Sequence, residues 1–318
     1  MMKKTLVYAT VLIVIAGVLF IGLRGCTFMP WNAKTPDGSM VSVSITEEFG
    51  RRLVKSGKVR VKEGDSALDA LKEVARVQTD YGGGFVSAIN GIKSAANGKR
   101  KDWFYYVNGT LSGIGSNQWE ARAGDTIWWD LHEWSGRNFI PAVVGAWPQP
   151  FTIGYSRKPQ RSRVMYGDGM ESLARDVGGY LEKNGADVVY STRVSRREHD
   201  GSGPAIVFLS FGQARRIPWV VDALAQPGKN GSFVTIDDEK LVALDSDGQA
   251  APAGNSAQAA VVSTGSGMGD ASPVWFVICD GGAGAARVRR LLVSETERLA
   301  LKVGVAVEAN GSVYALPR

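Results

Sequence analysis

Aromatic side chains are the residues of this 318-residue chain whose types and spacing could do chemistry. Five of its nine tryptophans, Trp103, Trp119, Trp128, Trp129 and Trp134, fall between positions 103 and 134, with Tyr105 among them. Such rings offer broad apolar faces with one polar edge, which suits a large flat ligand. Trp103, Tyr105, Trp119, Trp128 and Trp134 are the candidate ligand-facing aromatics. Alternation along a strand sends Trp128 and Trp129 to opposite faces, so one of them belongs to the core. His132 is one of only two histidines and could ligate a metal. A surface or hairpin-end role is the expectation for it, and no metal is predicted.

The rest of the chain carries no catalytic set. Gly-x-Ser-x-Gly, His-Glu-x-x-His and Walker loops are absent from the sequence. Gly281-Gly282-Ala283-Gly284 follows a strand and opens a helix, but lacks the full glycine spacing and reads as a tight turn. His199, in Arg196-Arg197-Glu198-His199-Asp200-Gly201, reads as a loop residue. Asn108-Gly109-Thr110, Asn230-Gly231-Ser232 and Asn310-Gly311-Ser312 match a glycosylation sequon, yet Asn-Gly is also the preferred hairpin turn, and all three read as turns. Cys26 and Cys279 form no metal or redox spacing, and Cys279 in its apolar run reads as an inert buried thiol. The protein is expected not to be an enzyme.

Charge narrows the partners. The net charge of +6 divides into +3 over residues 1–40, +1 over 41–136, +5 over 137–165 and −3 over 166–318. The excess lies in the tail and one linker. The folded regions then lack the basic face that nucleic-acid binding needs, and no nucleic acid is expected.

The elements that must position these residues start at a membrane. Residues 5–23, with Thr5 first and Leu23 last, carry no charge and reach about 28 Å as a helix, enough to cross the hydrocarbon core. Lys3 and Lys4 before this run favour a cytoplasmic N-terminus and an extracytoplasmic bulk. An uncleaved signal anchor is one reading. A lipoprotein signal ending at Leu23-Arg24-Gly25-Cys26 is the other, and both leave the bulk of the chain at the cell membrane on its extracytoplasmic side. Residues 1–25 are thus the anchor or signal and 26–40 a spacer.

From residue 41 to 136 the pattern is strand, helix, strands and hairpin. Val41, Val43 and Ile45 alternate with serines, Ser66-Ala67-Leu68-Asp69 has capping-box form, and the helix should run to Gly82-Gly83-Gly84. Asn90-Gly91 and Asn108-Gly109 mark hairpins. This is the order of a β-grasp-like domain. Residues 137–163 form a proline-rich connector, too apolar in its middle for a solvated linker. Residues 164–318 read as a separate α/β domain of unknown role, with residues 248–269 as a flexible insertion, residues 283–302 as one long helix, and a terminal hairpin at Asn310-Gly311. The expected fold class is α+β: an N-terminal membrane helix, a β-grasp-like domain, then the α/β domain.

Residues 59–134 resemble the transcobalamin-like C-terminal domain family, a β-grasp relative filed in bacteria among domains of unknown function. The carrying pieces are Glu63-Gly64-Asp65-Ser66-Ala67-Leu68-Asp69-Ala70-Leu71, the strand from Phe85 to Ile89 with Asn90-Gly91-Ile92, Trp103 with Tyr105-Tyr106-Val107-Asn108-Gly109, Gly113-Ile114-Gly115, and Ala123-Gly124-Asp125-Thr126-Ile127. In animal cobalamin carriers such a domain forms one wall of the site and a helical barrel the other, and this sequence has no barrel. The resemblance implies a corrin-facing surface near Trp103, Gly113, Ile114 and Gly115. It makes cobalamin or a related corrinoid the expected ligand, and a vitamin transporter's membrane component an expected partner. Asp130-Leu131-His132 nearly matches a corrinoid-binding signature, but its glycine, Gly136, falls one place late, and the match reads as coincidence. The expected function is a membrane-tethered extracytoplasmic binding protein serving vitamin uptake. The alternative is a cell-surface module that grips a protein, peptide or glycan.

Overall fold

A computed structural model describes residues 38–95, 100–134, 140–158, 160–237, 240–251 and 257–318. The uncharged run 5–23, Cys26 and most of the 26–40 spacer lie outside the described residues. No helix among those described is long and apolar enough to cross a membrane.

The first sheet grows from alternation. β1 (Ser39–Glu47) and β2 (Arg52–Val61) form an antiparallel hairpin, and Val41, Val43 and Ile45 all point inward. The capping box then starts α1 (Ala67–Val74). Ser66 Oγ accepts from Asp69 N at 3.1 Å and Asp69 accepts from Ser66 N at 3.0 Å. Leu68, Leu71 and Val74 bury α1 against the sheet. The helix stops eight residues before Gly82, not at the glycines, because the chain turns extended at Ala75 and adds β3 (Val77–Asp80). β3, β4 (Phe85–Ile89) and β5 (Ile92–Lys93) make a small antiparallel sheet. β6 (Lys101–Val107), β7 (Thr110–Leu111) and β8 (Thr126–Glu133) complete the larger one in the order β2-β1-β8-β6-β7. β1 and β8 are its parallel pair. First hairpin, crossing helix and last strand beside the first is the β-grasp arrangement. Both Asn-Gly turns adopt the left-handed φ pair such hairpins demand, 51° and 84° at Asn90-Gly91 and 50° and 86° at Asn108-Gly109.

The remainder is a nine-stranded mixed sheet. α2 (Gln149–Thr152) precedes it. β9 (Arg161–Tyr166), β10 (Asp187–Ser191), β11 (Ala205–Ser210) and β15 (Val274–Cys279) run parallel. β12 (Val234–Asp237), β13 (Lys240–Ala243), β14 (Ala257–Thr264), β16 (Gly304–Glu308) and β17 (Val313–Leu316) add antiparallel pairs. α3 (Glu171–Lys183) and α7 (Gly282–Val293) cover one face. α4 (Phe211–Ala214) and α5 (Pro218–Leu224) cover the other, and α6 (Pro227–Asn230) follows.

Two expectations fail here for physical reasons. The small-residue stretch 248–269 contains β14, a buried strand between β15 and β16. Its alanines and serines do not mark a loop. They let α7 pack close, so close that a Cβ on Gly284 would stand 2.7 Å from the Gln258 carbonyl oxygen. The long helix over 283–302 also breaks, ending at Val293, with a 3₁₀ turn at Thr296–Leu299.

The α/β part is not separate in its packing. The described residues all fall in one compact unit. Phe49, Tyr106 and Trp128, on the β-grasp face opposite α1, share a hydrophobic core with Met165, Val207 and Phe276 of the larger sheet. The connector is stitched in too: Ile140 and Val143 join that core, while Val144, Trp147 and Phe151 join the core beneath α3 and α7.

Candidate functional site

The predicted aromatic site is mostly interior. Trp103, Tyr105, Trp119 and Trp128 are buried, and so is Trp129. Trp128 and Trp129 do face opposite ways, Trp128 into the core shared with the larger sheet and Trp129 into the core under α1. Trp103 donates its indole N–H to the Ile92 carbonyl at 3.1 Å, and Tyr105 stacks on Trp129 with centroids 4.8 Å apart. Burial pushes the Tyr105 hydroxyl well above the usual phenol range. Trp134 is half-buried, donates to Asp102 at 2.6 Å and lies under Arg100.

The connector covers what the β-grasp leaves open. Tyr155 lies on Trp119 at 4.5 Å and accepts from Gly113 N at 3.1 Å. Arg157 stands over the same indole at 4.6 Å, donates to the Glu120 carbonyl at 2.7 Å and pairs with buried Asp125. Burial raises the Asp125 carboxyl against the pull of Arg157, and burial likewise lowers the Arg157 guanidinium. Asn108 is buried beside them, its amide donating to Asp125 at 2.9 Å and to the Gly154 carbonyl at 3.0 Å. That leaves Asn108 no freedom to accept a glycan.

His132 is equally enclosed. Its ring lies 4.9 Å from Phe49 and 4.4 Å from Phe104, both stacked. Its Nδ1 donates to Asp130 at 2.8 Å, since a carboxylate only accepts. Asp130 also accepts from Thr46 Oγ1 at 2.5 Å, Gly50 N at 2.9 Å and Phe49 N at 3.0 Å, and Thr46 in turn accepts from the Trp128 indole at 2.7 Å. This network fixes the β1–β2 turn; the His132 ring is packed among aromatic side chains away from solvent.

What remains outside is a ridge. Tyr81 is 90% exposed, Ile114 44% and Met268 63%. Gly115 backs onto Gly84, and Asn117 donates to the Gly82 carbonyl at 3.2 Å. Gly113 backs onto Met268, where a Cβ would stand 3.3 Å from its carbonyl. A hollow of about 450 Å³ opens beside it, between the start of α1 and Tyr81.

The larger cavity, about 800 Å³, lies in the α/β half. Val274, Phe276 and Thr264 line it from the sheet, and loop 265–272 forms a wall. His199 stacks on Trp219 at 5.8 Å, and Trp219 meets Phe276 edge-on. Arg196, Asp222 and Lys229 are exposed at its rim. Burial lowers the His199 imidazole against the pull of Asp270. Asp270 is held by Ser266 N at 2.6 Å and Ser272 N at 2.8 Å. The loop's other side grips the β-grasp half, Gly269 N donating to Leu111 O at 2.8 Å and Asp270 O accepting from Thr110 Oγ1 at 3.2 Å. Sequence reasoning missed this site because its residues come from three separate stretches, 196–201, 219–230 and 264–276, with no shared motif. The cavity sits at the amino ends of β11 and β15, opposite the edge that open parallel sheets usually use.

The glycine turn before α7 is no phosphate cradle. Asp280 accepts from Gly284 N at 3.0 Å, placing a carboxylate where an anion would sit. Among the described residues no cluster of three metal-ligating side chains occurs.

A search of curated proteins gave no match. Among solved structures, a Ruminococcus gnavus protein described as a candidate metal binding protein is similar at 13% identity, covering 30% of this chain and 98% of that one with a TM-score of 0.24. A likeness of that size carries no argument about what this chain binds. Residues 64–133, from the turn before α1 to the end of β8, match the family described as Domain of unknown function (DUF4430).

Proposed function

We propose that this chain is a ligand-binding protein whose site is the 800 Å³ cavity beside loop 265–272. The cavity itself carries the reading: its volume falls in the roughly 300–1,000 Å³ range of small-molecule sites. It combines an apolar floor, an aromatic wall at Trp219 and a rim with Arg196, Lys229 and Asp222. That lining suits a ring-bearing ligand with polar or charged arms. A corrinoid is the first ligand to try, on the resemblance of residues 59–134, with membrane tethering and vitamin uptake as its setting. The buried tryptophans then act as scaffold, and the Ile114 ridge is the second place a corrin could rest.

Titration of the full chain in detergent with cyanocobalamin, followed by heat and absorbance, tests this. Saturable binding weakened at least tenfold by Trp219→Ala and by the rim variant Arg196→Glu, but not by Ile114→Asp, is expected. Loss in Ile114→Asp alone moves the site to the ridge. No heat and no absorbance change overturns the corrinoid reading.

The exposed Tyr81, Ile114 and Met268 favour a second reading, a surface that grips a protein, peptide or glycan. Capture of a membrane protein by the full chain, abolished by Tyr81→Ser with Ile114→Asp and indifferent to cobalamin, would favour it.

A further inference from the structure

Net charge hides a segregated surface. Residues 41–136 carry 13 basic and 12 acidic side chains, yet Arg51, Arg52, Lys55, Lys58, Arg60 and Lys62 fall within twelve consecutive positions that hold no acid. The register sorts them. Val41, Val43 and Ile45 face α1, and their β2 partners are Val59, Gly57 and Lys55. The opposite face therefore pairs Met40 with Arg60, Ser42 with Lys58 and Ser44 with Ser56; the larger sheet covers this face from Thr46 and Trp128 inward and leaves its β2 edge open. Past the bulge at Ile45/Thr46 it pairs Thr46 with Leu53. Lys58, Arg60 and Lys62 are exposed, and no ion pair engages them among the described residues. The nearby acids are engaged: Glu47 pairs with Arg52, Asp65 accepts from Lys62 N, and Asp69, which feels the Lys62 charge, is held by its Ser66 cap.

Two large apolar side chains share this face. Met40 is 40% exposed and Leu53 56%. Cations with apolar side chains on one exposed face form the pattern that sits at a lipid headgroup boundary, the basic groups on phosphates and the apolar ones just below. β2 is also the sheet's outer strand, so nothing in the sheet lies beyond it. By chain length the face is within reach: sixteen positions separate Leu23, the end of the uncharged run, from Ser39, at most about 55 Å of chain.

We infer that the open β2 edge of this face, through Lys58, Arg60, Lys62, Met40 and Leu53, docks on an anionic membrane surface. Full chain in nanodiscs of phosphatidylcholine, with or without one-third phosphatidylglycerol, tests it by hydrogen exchange. Backbone amides of 52–62 are expected to exchange at least fivefold more slowly on the anionic discs. The protection should vanish in about 1 M salt, where screening shrinks to about 3 Å. It should vanish also in Lys58→Glu/Arg60→Glu/Lys62→Glu, with the urea midpoint of that variant as the folding control. Equal exchange on both discs, or protection that survives the triple reversal, overturns the inference. So does protection given by a DNA oligonucleotide and not by anionic lipid, which would mark the face as a nucleic-acid surface.

Discussion

Asp130 is the single side chain on which most of the first sheet's geometry converges. It accepts from Thr46, Phe49, Gly50 and His132, all buried or nearly so. Glu48, Phe49 and Gly50 all hold left-handed φ, at 58°, 62° and 82°, so the β1–β2 turn is a strained path that the carboxylate secures. Asp130→Ala leaves Phe49 N, Gly50 N and His132 Nδ1 without an acceptor, while Thr46 Oγ1 keeps the Trp129 carbonyl at 3.3 Å. The expected cost is about 4 kcal/mol in urea unfolding, since each orphaned buried donor costs about 1–3 kcal/mol and the losses are not additive. Thr46→Val removes one member and should cost about 1–2 kcal/mol. A loss under 1 kcal/mol for Asp130→Ala would mean that water replaces the carboxylate. Sequence alone offered His132 as a ligand candidate and could not show this, because the partners of Asp130 come from the β1 end and its turn, about eighty positions away.

At the scale of elements, local chemistry was legible and burial without pattern was not. The capping box of α1, the alternation of β1 and the Asn-Gly hairpins are each written in adjacent residues and formed as expected. β14 was missed because a strand buried on both faces shows no alternation, and its small residues mimic a linker. The cap of α1 makes a pH prediction. Hydrogen bonds from the Ser66 hydroxyl and Ser66 N–H hold Asp69 below its ordinary 3.8. A lowered folded pKa means the unfolded chain protonates first as pH falls, so the cap's contribution is complete above about 3.8 and is lost below it. Asp69→Asn abolishes this titration. The stability gap between wild type and Asp69→Asn, about 0.5 kcal/mol given the exposure of the site, should stay flat from pH 5 to 8 and close below pH 4. A gap that widens toward acid would reverse the sign of the assignment.

In the molecule as a whole, the two halves are held by aromatic side chains, among them Trp128, which reads in sequence as a ligand contact. Trp128 and Tyr106 pack together at 5.5 Å on the face the β-grasp sheet turns to the larger sheet. Phe49 reaches across from its turn to Phe233 at 6.1 Å. A Cβ at Gly50 would overlap the Leu301 carbonyl, so the turn and the α/β half touch backbone to backbone. A domain boundary drawn from the prolines of residues 137–163 divides the chain but not the core, since the connector's own Ile140 and Val143 fill the seam. Shared burial of this kind makes unfolding cooperative across both halves. Urea curves followed by tryptophan fluorescence, weighted toward positions 103–134, should coincide with curves followed by exchange of α3 and α7 amides. Trp128→Ala should lower both by about 3–5 kcal/mol, the cost of emptying a large buried aromatic site. Phe104, partly buried on the same side of the sheet, is the milder test, and Phe104→Leu should shift both curves together by a smaller amount. Two separate transitions, with Trp128→Ala moving only the fluorescent one, would show that the halves fold independently and that their contact is a docking of finished domains.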